Sequence, residues 1–350
     1  MEEPLYLLLP GSLEALTGGT RYDKRIVQAL RAQGRAVFVR SLDTRFPRPS
    51  PLALAEADAV LAGLPAGALT VVDGLAFGAM PGIAARHAAR LRLVALVHHP
   101  LALETGLDPA EAERLRVMEA QALRHAWRVV ATSVHTAQLL ADYGVPSARV
   151  RVVEPGTDPA PPAVGSTGSG GELRLICVGS VTPRKGHGLL VEALGGLTHL
   201  DWRLDCVGSL ERDRDLVAAL RARIAALGLD ERVRLLGELG AAGLAGCYRR
   251  ADLFVLASLF EGYGMAYAEA LARGLPVLGT TGGAIADTVP ADAGILVAPG
   301  RVDELHGALE RLLSDAELRR RLADGAVRAR RRLPDWSTAA QRFAAAVADD

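Results

Sequence analysis

Residues 252–280 read DLFVLASLFEGYGMAYAEALARGLPVLGT, and this stretch decides the fold class that we expect for the chain. It opens with an apolar run of strand length. A loop with Gly262 and Gly264 follows, then a predicted helix of residues 265–273, which Gly274 ends, and a second apolar strand. This order predicts a parallel sheet, in which ligands bind at the carboxyl ends of the strands. The loop is therefore where we expect the chemistry.

Two acidic residues flank the glycines of this loop, Glu261 before them and Glu269 inside the predicted helix. A retaining glycosidase needs two carboxylates about 5 Å apart across one bond. This spacing argues against a glycosidase, because one acid lies on the loop and the other about one helical turn further on. The first-turn N–H groups of Met265 and Ala266 favour an anion such as a sugar diphosphate. The alternative is two solvated glutamates at a helix end.

The segment with Glu261, Tyr263 and Glu269 resembles the EX7E element of retaining glycosyltransferases of family 4. The resemblance covers the chain from Gly18 to Trp336. It implies an α/β protein with the GT-B fold, in which two Rossmann-like parallel-sheet domains face each other across a cleft. It also implies that the first glutamate faces the donor sugar and that the second holds the nucleotide ribose.

The overall composition restricts the class of partner. A chain of 350 residues that is 50% hydrophobic can bury two domain-sized cores. Its 40 basic and 40 acidic residues balance, so we expect no nucleic-acid partner. The three cysteines, Cys177, Cys206 and Cys247, lack metal-ligand spacing and are predicted to be buried free thiols. With no DxD motif either, we expect no metal and no cofactor.

The start of the chain, MEEPLYLLLPG, is acidic and only briefly apolar. It does not resemble a signal peptide, and the sequence has no apolar run of about 18 residues. We therefore expect a cytoplasmic protein with at most peripheral membrane contact.

The first predicted strand is followed by Gly18-Gly19 and a helix, which together with the next strand form a βαβ unit. The spacing is not that of a dinucleotide-binding fingerprint, which argues against a redox enzyme. One interpretation of the glycine pair is a plain turn. The family resemblance instead implies that this backbone passes close to the donor phosphates.

His98 follows a predicted strand of residues 92–97. A histidine at the carboxyl end of a parallel strand points into the crevice, where a neutral imidazole donates a hydrogen bond to a sugar hydroxyl. The resemblance likewise implies a place beside the donor sugar. The alternative is a structural histidine.

Residues 159–171 read PAPPAVGSTGSGG, and their proline, glycine and serine content predicts a linker. It separates an acceptor domain, residues 1–158, from a donor-binding domain, residues 172–334. By resemblance the last helix, residues 335–350 around Trp336, packs back on the first domain.

Only two of the 40 basic residues are lysines, Lys24 and Lys185. Arg184 and Lys185 lie with Gly186 in a predicted strand-to-helix loop, where a compact ammonium suits a phosphate. A solvated surface pair is the alternative. The family usually has an arginine where this chain has Ser180, and Arg184 is a candidate substitute.

We interpret the chain as a retaining hexosyltransferase that moves a sugar from a UDP- or GDP-sugar to a small-molecule, glycan or lipid-linked hydroxyl acceptor. A non-catalytic nucleotide-sugar binding protein and a GT-B-type nucleotide-sugar epimerase are the alternatives. The predicted catalytic residues are Glu261, His98, Lys185 and Arg184, and the predicted donor-binding residues are Gly18, Gly19, Ser180, Gly186, Gly237, Glu238, Gly262, Tyr263, Gly264, Met265, Ala266 and Glu269.

Overall fold

The computed structural model describes residues 3–15, 17–166 and 171–348. The chain divides into two compact units, residues 1–156 with 334–350 and residues 157–333. Within these ranges, each unit contains one six-stranded sheet in which all the strand pairs are parallel. Two parallel sheets with flanking helices confirm the predicted α/β class with two Rossmann-like domains.

Strands and helices alternate along both units. The strands are β1 (Leu5–Pro10), β2 (Val37–Leu42), β3 (Leu69–Asp73), β4 (Arg92–Val97), β5 (Arg128–Ala131), β6 (Val150–Val152), β7 (Leu173–Val178), β8 (Trp202–Val207), β9 (Val233–Gly237), β10 (Leu253–Val255), β11 (Val277–Thr280) and β12 (Gly294–Val297). The helices are α1 (Gly18–Ala32), α2 (Pro51–Ala62), α3 (Gly74–Phe77), α4 (Pro81–His87), α5 (Pro109–Leu123), α6 (Val134–Leu139), α7 (His187–Gly195), α8 (Arg214–Ala226), α9 (Ala241–Arg250), α10 (Met265–Leu271), α11 (Ile285–Thr288), α12 (Val302–Ser314), α13 (Ala316–Arg330) and α14 (Trp336–Ala346). Among the described residues, none of these helices combines the length and the apolar content that crossing a membrane requires.

The first sheet has the strand order β2-β1-β3-β4-β5-β6. From β1 the chain first adds β2 on one side and then returns to add β3 on the other. Such a reversal is a topological switch point, where open α/β sheets bind their ligands at the carboxyl ends of the strands. The central strands are apolar because helices cover both faces of the sheet. Here the switch point lies between β1 and β3.

The second sheet has the order β12-β11-β10-β7-β8-β9, and its switch point lies between β7 and β10. The stretch that predicts the fold forms β10, α10 and β11 in the expected order, although each element is shorter than predicted. The loops that follow β7 and β10 therefore begin beside each other. These loops contain five of the twelve predicted donor-binding residues, and α10, which follows the second loop, contains three more.

Helix α14 belongs to the first unit, where it packs on α1. The rings of Tyr22 and Trp336 meet edge to face with their centroids 6.1 Å apart. At Gly156 a Cβ atom would lie 2.5 Å from the backbone nitrogen of Trp336, so only glycine permits this approach. The backbone of Gly156 thus packs directly against the start of α14.

The predicted linker, residues 159–171, is only partly described, because residues 167–170 lie outside the described residues. Its earlier part bonds to the second unit. The N–H of Ala163 donates to the carbonyl of Arg273 at 2.8 Å, and that of Val164 donates to the carbonyl of Arg249 at 2.8 Å. Residues 157–166 accordingly belong to the second unit.

Candidate active site

The loop after β7 lies against the loop after β10. Its turn, Pro183–Lys185, ends at Gly186, whose φ is +65°. A Cβ atom there would lie 2.1 Å from the carbonyl oxygen of Ala257, so glycine is required for this close approach. The N–H of Leu259 also donates to the carbonyl of Arg184 at 2.7 Å. These contacts bring Arg184 and Lys185 to the end of β10.

Glu261 is the centre of a charged cluster at this point. Its Oε1 lies 2.6 Å from the Lys185 ammonium, and its Oε2 lies 3.1 Å from a guanidinium nitrogen of Arg184. The hydroxyl of Ser258 also donates to Oε1, at 2.6 Å. The side chain of Glu261 is only 9% exposed, and those of Lys185 and Arg184 are 16% and 21% exposed. Three of the four predicted catalytic residues therefore form one cluster.

The charge of Glu261 follows from these partners. Burial alone raises the pKa of this carboxyl group, but Lys185 and Arg184 outweigh burial and lower the pKa to about 2. The group is therefore ionised at neutral pH. An ionised carboxylate has no proton to give, so Glu261 is not a general acid, and it presents a fixed negative charge and hydrogen-bond acceptors.

The backbone of Glu261 is fixed by the segment after β11. Its N–H donates to the carbonyl of Gly282 at 3.2 Å, and its carbonyl accepts from the N–H of Ala284 at 2.9 Å. Gly283 has a φ of +69°, and a Cβ atom there would lie 2.2 Å from the Glu261 carbonyl. The glycine pair thus holds the carboxylate in position.

Glu269 lies in α10, in different surroundings from Glu261. It is buried, and the hydroxyl of Tyr248 donates to its Oε2 at 3.3 Å. The guanidinium of Arg273 lies over the Tyr248 ring, 4.1 Å from its centroid, and donates to the backbone carbonyl of Glu269 at 2.8 Å. The two acids of the EX7E pattern therefore have separate side-chain partners.

The remaining predicted donor-site residues of this unit lie at the ends of β7, β9 and β10. Ser180 is half-buried in the loop after β7, while Tyr263 accepts a hydrogen bond at its carbonyl from Thr288. Gly264, with a φ of +94°, precedes α10. Gly237 and the exposed Glu238 lie at the edge strand β9, which β8 separates from β7. Glu238 is not brought into the Glu261 cluster. The other predicted donor-binding residues of this unit lie before or within two helices: Gly186 precedes α7, Gly262 precedes α10, and Met265, Ala266 and Glu269 lie within α10.

The first unit has its own buried cluster, centred on His98. Its Nε2 lies 3.3 Å from Oδ1 of Asp23 in α1 and 3.4 Å from Oδ2 of Asp73 at the end of β3. The side chain of His98 is 18% exposed, whereas Asp23 and Asp73 are 1% and 4% exposed. All three lie near the switch point of the first sheet.

The protonation of His98 differs from the neutral imidazole that the sequence predicts. Burial lowers the pKa of His98, but the carboxylates of Asp23 and Asp73 outweigh it and raise the pKa to about 10. Burial in turn raises the pKa of Asp23 to about 6, against the opposing charge of His98. His98 is therefore an imidazolium at neutral pH, because two carboxylates share one imidazole.

Gly18 and Gly19 form the first turn of α1 and not a turn before it. The Thr17 hydroxyl caps this helix by accepting from the N–H of Thr20 at 3.0 Å. A Cβ atom at Gly19 would lie 3.0 Å from Cδ2 of His98. The glycine thus lets the helix backbone approach the imidazole ring.

Comparison with known proteins identifies the family. Residues 166–328 match the model of Glycosyl transferases group 1, and residues 27–161 match that of Glycosyltransferase Family 4. The chain is 30% identical over 318 residues to an MMP alpha-(1->4)-mannosyltransferase of Mycolicibacterium hassiacum, which covers 85% of this chain and 75% of the relative. The chain belongs to glycosyltransferase family 4.

Other family relatives are matched over less of their length. A D-inositol 3-phosphate glycosyltransferase of Actinosynnema mirum is 34% identical over 264 residues, which are 67% of this chain and 62% of the relative. The chain thus spans less than two thirds of that relative.

The fold of this glycosyltransferase is also found in solved structures. Sucrose-phosphate synthase from Thermosynechococcus elongatus superposes with a TM-score of 0.82 at 22% identity, over 98% of this chain and 97% of that one. Anabaena HepE, solved in complex with UDP-glucose, has a TM-score of 0.77 at 20% identity, over 97% of this chain and 98% of that one. These similarities confirm the GT-B fold.

Three side chains of the two clusters in this glycosyltransferase are absent from the sequence-based prediction. Asp73 ends a buried strand, and this polar residue at a strand terminus is a signal that could have identified it. Ser258 ends the apolar run before Glu261, which is a weaker signal. Asp23 lies inside a helix among residues of mixed polarity, and its pattern gives no signal.

Proposed function

We propose that this chain is a retaining hexosyltransferase that moves a hexose-type sugar from a UDP- or GDP-sugar to a hydroxyl group of a small-molecule, glycan or lipid-linked acceptor. The observation that carries the proposal is the convergence of Lys185 and Arg184 on Glu261 at the switch point of the second sheet. The family supports transfer of a sugar, and the mannosyltransferase name of one relative supports a hexose.

In the proposed reaction the two cations stabilise the departing diphosphate. The bond between the anomeric carbon of the sugar and the phosphate oxygen breaks, and negative charge grows on that oxygen. Lys185 and Arg184 are held in position before the reaction, so they stabilise the transition state without first being reorganised. The diphosphate is the leaving group, so stabilising its growing negative charge lowers the barrier to sugar transfer.

Retention of configuration follows if the acceptor attacks from the side that the diphosphate leaves. The acceptor oxygen then bonds to the anomeric carbon, and its proton passes to the departing phosphate oxygen. Glu261, ionised and fixed by its backbone contacts, accepts hydrogen bonds from the sugar hydroxyl groups in this scheme. Its role is to orient the sugar, and no covalent intermediate is required.

Glu269 is the proposed partner of the ribose. A carboxylate accepts hydrogen bonds from two neighbouring hydroxyl groups, which matches a ribose better than a phosphate. Glu269 is only 8% exposed and contacts Tyr248, so a ligand can approach it from few directions. The resemblance assigns His98 to the donor sugar, and that role stays a prediction.

Ligand binding and turnover test the proposal in two steps. A thermal-shift screen with UDP, GDP and ADP comes first, since a ligand at about 100 times its Kd stabilises a protein by about 2.7 kcal/mol. The matching nucleotide-sugars are then incubated with the protein without acceptor, and products are separated by chromatography. Slow release of the nucleoside diphosphate supports a transferase.

Two other results would contradict the proposal. Binding without any release indicates a non-catalytic nucleotide-sugar binding protein, and conversion of the donor to another nucleotide-sugar indicates an epimerase. Once an acceptor has been found, proton NMR of the glycosidic product reads the anomeric configuration directly. An inverted anomeric centre would overturn the retaining mechanism.

A further inference from the structure

Two buried cysteines and a buried histidine lie together in the second unit. Cys177 of β7 and Cys206 of β8 are register partners in neighbouring parallel strands, so their side chains emerge on the same face of the sheet. His187 is the first residue of α7. Their Sγ and ring nitrogen atoms all lie within 4.8 Å of one another, and the residues are 0%, 3% and 3% exposed.

The imidazole of His187 is the unusual member of this group. Neither of its ring nitrogens has a hydrogen-bond partner of ordinary geometry among the described residues. A buried polar group without a partner is unfavourable, and native proteins rarely leave one unsatisfied. The two thiols lie within 4.8 Å of its ligand nitrogen, so they can share a ligand with it.

We propose that Cys177, Cys206 and His187 bind one thiophilic d10 cation, Zn²⁺ or Cu⁺. Two thiolates and an imidazole form a donor set that suits both ions and disfavours Mg²⁺ and Ca²⁺. Metal–sulfur bonds of about 2.3 Å at tetrahedral or trigonal angles place the sulfurs about 4 Å apart. The distances between the ligand atoms therefore need to shorten by about 1 Å at most, which rotation of the side chains allows.

Binding changes the protonation of the ligands. Both cysteines bind as thiolates and release their protons to solvent, and His187 binds as the neutral imidazole. No electron is transferred, so the step needs neither an oxidant nor a reductant.

The sequence gives no sign of this group because the fold assembles it. Its ligands come from two strands and a helix start, and not from a short motif of the C-x-x-C kind. The structure confirms the expected buried free thiols, since Cys177, Cys206 and Cys247 are all buried and none is in a disulfide. The third cysteine, Cys247 of α9, does not belong to the group and provides a matched control.

The position of the site predicts what a bound cation does. His187 follows Lys185 and Gly186 directly, so a cation would connect the start of α7 to β7 and β8 below the loop that carries Lys185. We therefore expect it to stabilise the second unit. This expectation does not depend on the proposed sugar transfer, because metal binding is measured without donor or acceptor.

The test begins with reduced full-length protein stripped of metal and kept free of oxygen. Co²⁺ serves as the spectroscopic substitute for Zn²⁺, and Zn²⁺ and Cu⁺ are titrated in competition with chromophoric chelators. We expect one equivalent of Zn²⁺ or Cu⁺ to bind and to raise the Tm. A thiolate-to-Co²⁺ charge-transfer band identifies the Zn²⁺ arm, and stoichiometric Cu⁺ binding without that band identifies the Cu⁺ arm. Binding of neither ion would overturn the proposal.

Variants assign the ligands. Cys177→Ser and Cys206→Ser should each lose the one-equivalent binding, whereas Cys247→Ser should keep it. X-ray absorption of the loaded wild-type protein should give two sulfurs and one nitrogen, and this readout holds even where a serine variant does not fold. Retained binding in both folded serine variants, loss of binding in Cys247→Ser, or a ligand shell without sulfur would each refute the assignment.

Discussion

The Lys185 ammonium lies 2.6 Å from Oε1 of Glu261, and Arg184 contacts the other oxygen of the same carboxylate. Two positive charges thus share one negative charge in a largely buried site. The net positive charge of this cluster suits the diphosphate of the proposed donor. Glu261 balances one of the two positive charges that the loop after β7 brings to the end of β10.

Lys185→Ala should lower the transfer rate by about 100-fold, because it removes one preorganised positive charge from the departing diphosphate. The matched control is Lys24→Ala, the only other lysine, which pairs with Glu14 on the first unit. Initial rates at saturating donor measure the effect, and circular dichroism verifies folding. An unchanged rate in the Lys185 variant would remove this residue from the mechanism.

Glu269→Gln should weaken the binding of the nucleoside diphosphate by about 10- to 100-fold, because it removes charged hydrogen bonds to the ribose. Glu261→Gln should not weaken it, since Lys185 and Arg184 then no longer share their charge with a carboxylate. Isothermal titration with the nucleoside diphosphate alone compares the two variants. An equal loss of affinity in both would contradict this division of roles.

Much of the fold can be predicted because buried parallel strands are continuous apolar runs. Strand β4 has the predicted bounds, residues 92–97, for this reason. Helix α5 shows the limit of periodicity, since the pattern predicts a helix from Pro109 to Arg128 and the helix ends at Leu123. Arg128 instead begins β5 and pairs with Val94 of β4, a contact that only the folded sheet supplies.

The sequence predicts those residues of the candidate site that lie in loops of unusual composition. Lys185 and Glu261 are conspicuous beside glycines after apolar strands. The partners of His98 are different, because Asp23 and Asp73 reach it only through the order of the strands in the first sheet. The order of the strands decides which residues from distant parts of the sequence meet, and local sequence patterns carry no information about that order.

Asp23→Asn should lower the pKa of His98 from about 10, because it removes the largest charge that opposes the effect of burial. NMR titration of protein with labelled histidine measures the shift. Asp58→Asn, which alters the partner of His87 on the same unit, is the control and should leave His98 unchanged. An unaltered His98 titration in the Asp23 variant would mean that this pair does not set its charge.

Glu119→Gln should make the free energy of unfolding less dependent on pH. Burial raises the pKa of Glu119 from 4.5 to about 8, so the folded protein holds a proton that the unfolded chain releases. Stability from this group is present below 4.5 and is lost as the pH rises through about 8. Between pH 6 and pH 9 the wild type should lose roughly 3 kcal/mol more than the variant in urea unfolding. Equal losses would show that Glu119 is ionised when folded.

Gly186→Ala should destabilise the protein by about 1–3 kcal/mol and weaken nucleoside diphosphate binding. The added Cβ atom would lie 2.1 Å from the carbonyl oxygen of Ala257, and the φ of +65° disfavours any side chain. The loop must move to relieve the steric clash and the unfavourable backbone conformation. Arg184 and Lys185 then move with it, away from Glu261.

Gly188→Ala is the matched control for this substitution, two residues further along the same segment. A Cβ atom at Gly188 meets nothing within 4 Å, and alanine favours helix α7, so stability should rise by up to about 1 kcal/mol. Urea unfolding and titration with the nucleoside diphosphate measure both variants. If Gly186→Ala matched the control in both measurements, the close approach of the two loops would not be what positions the cations.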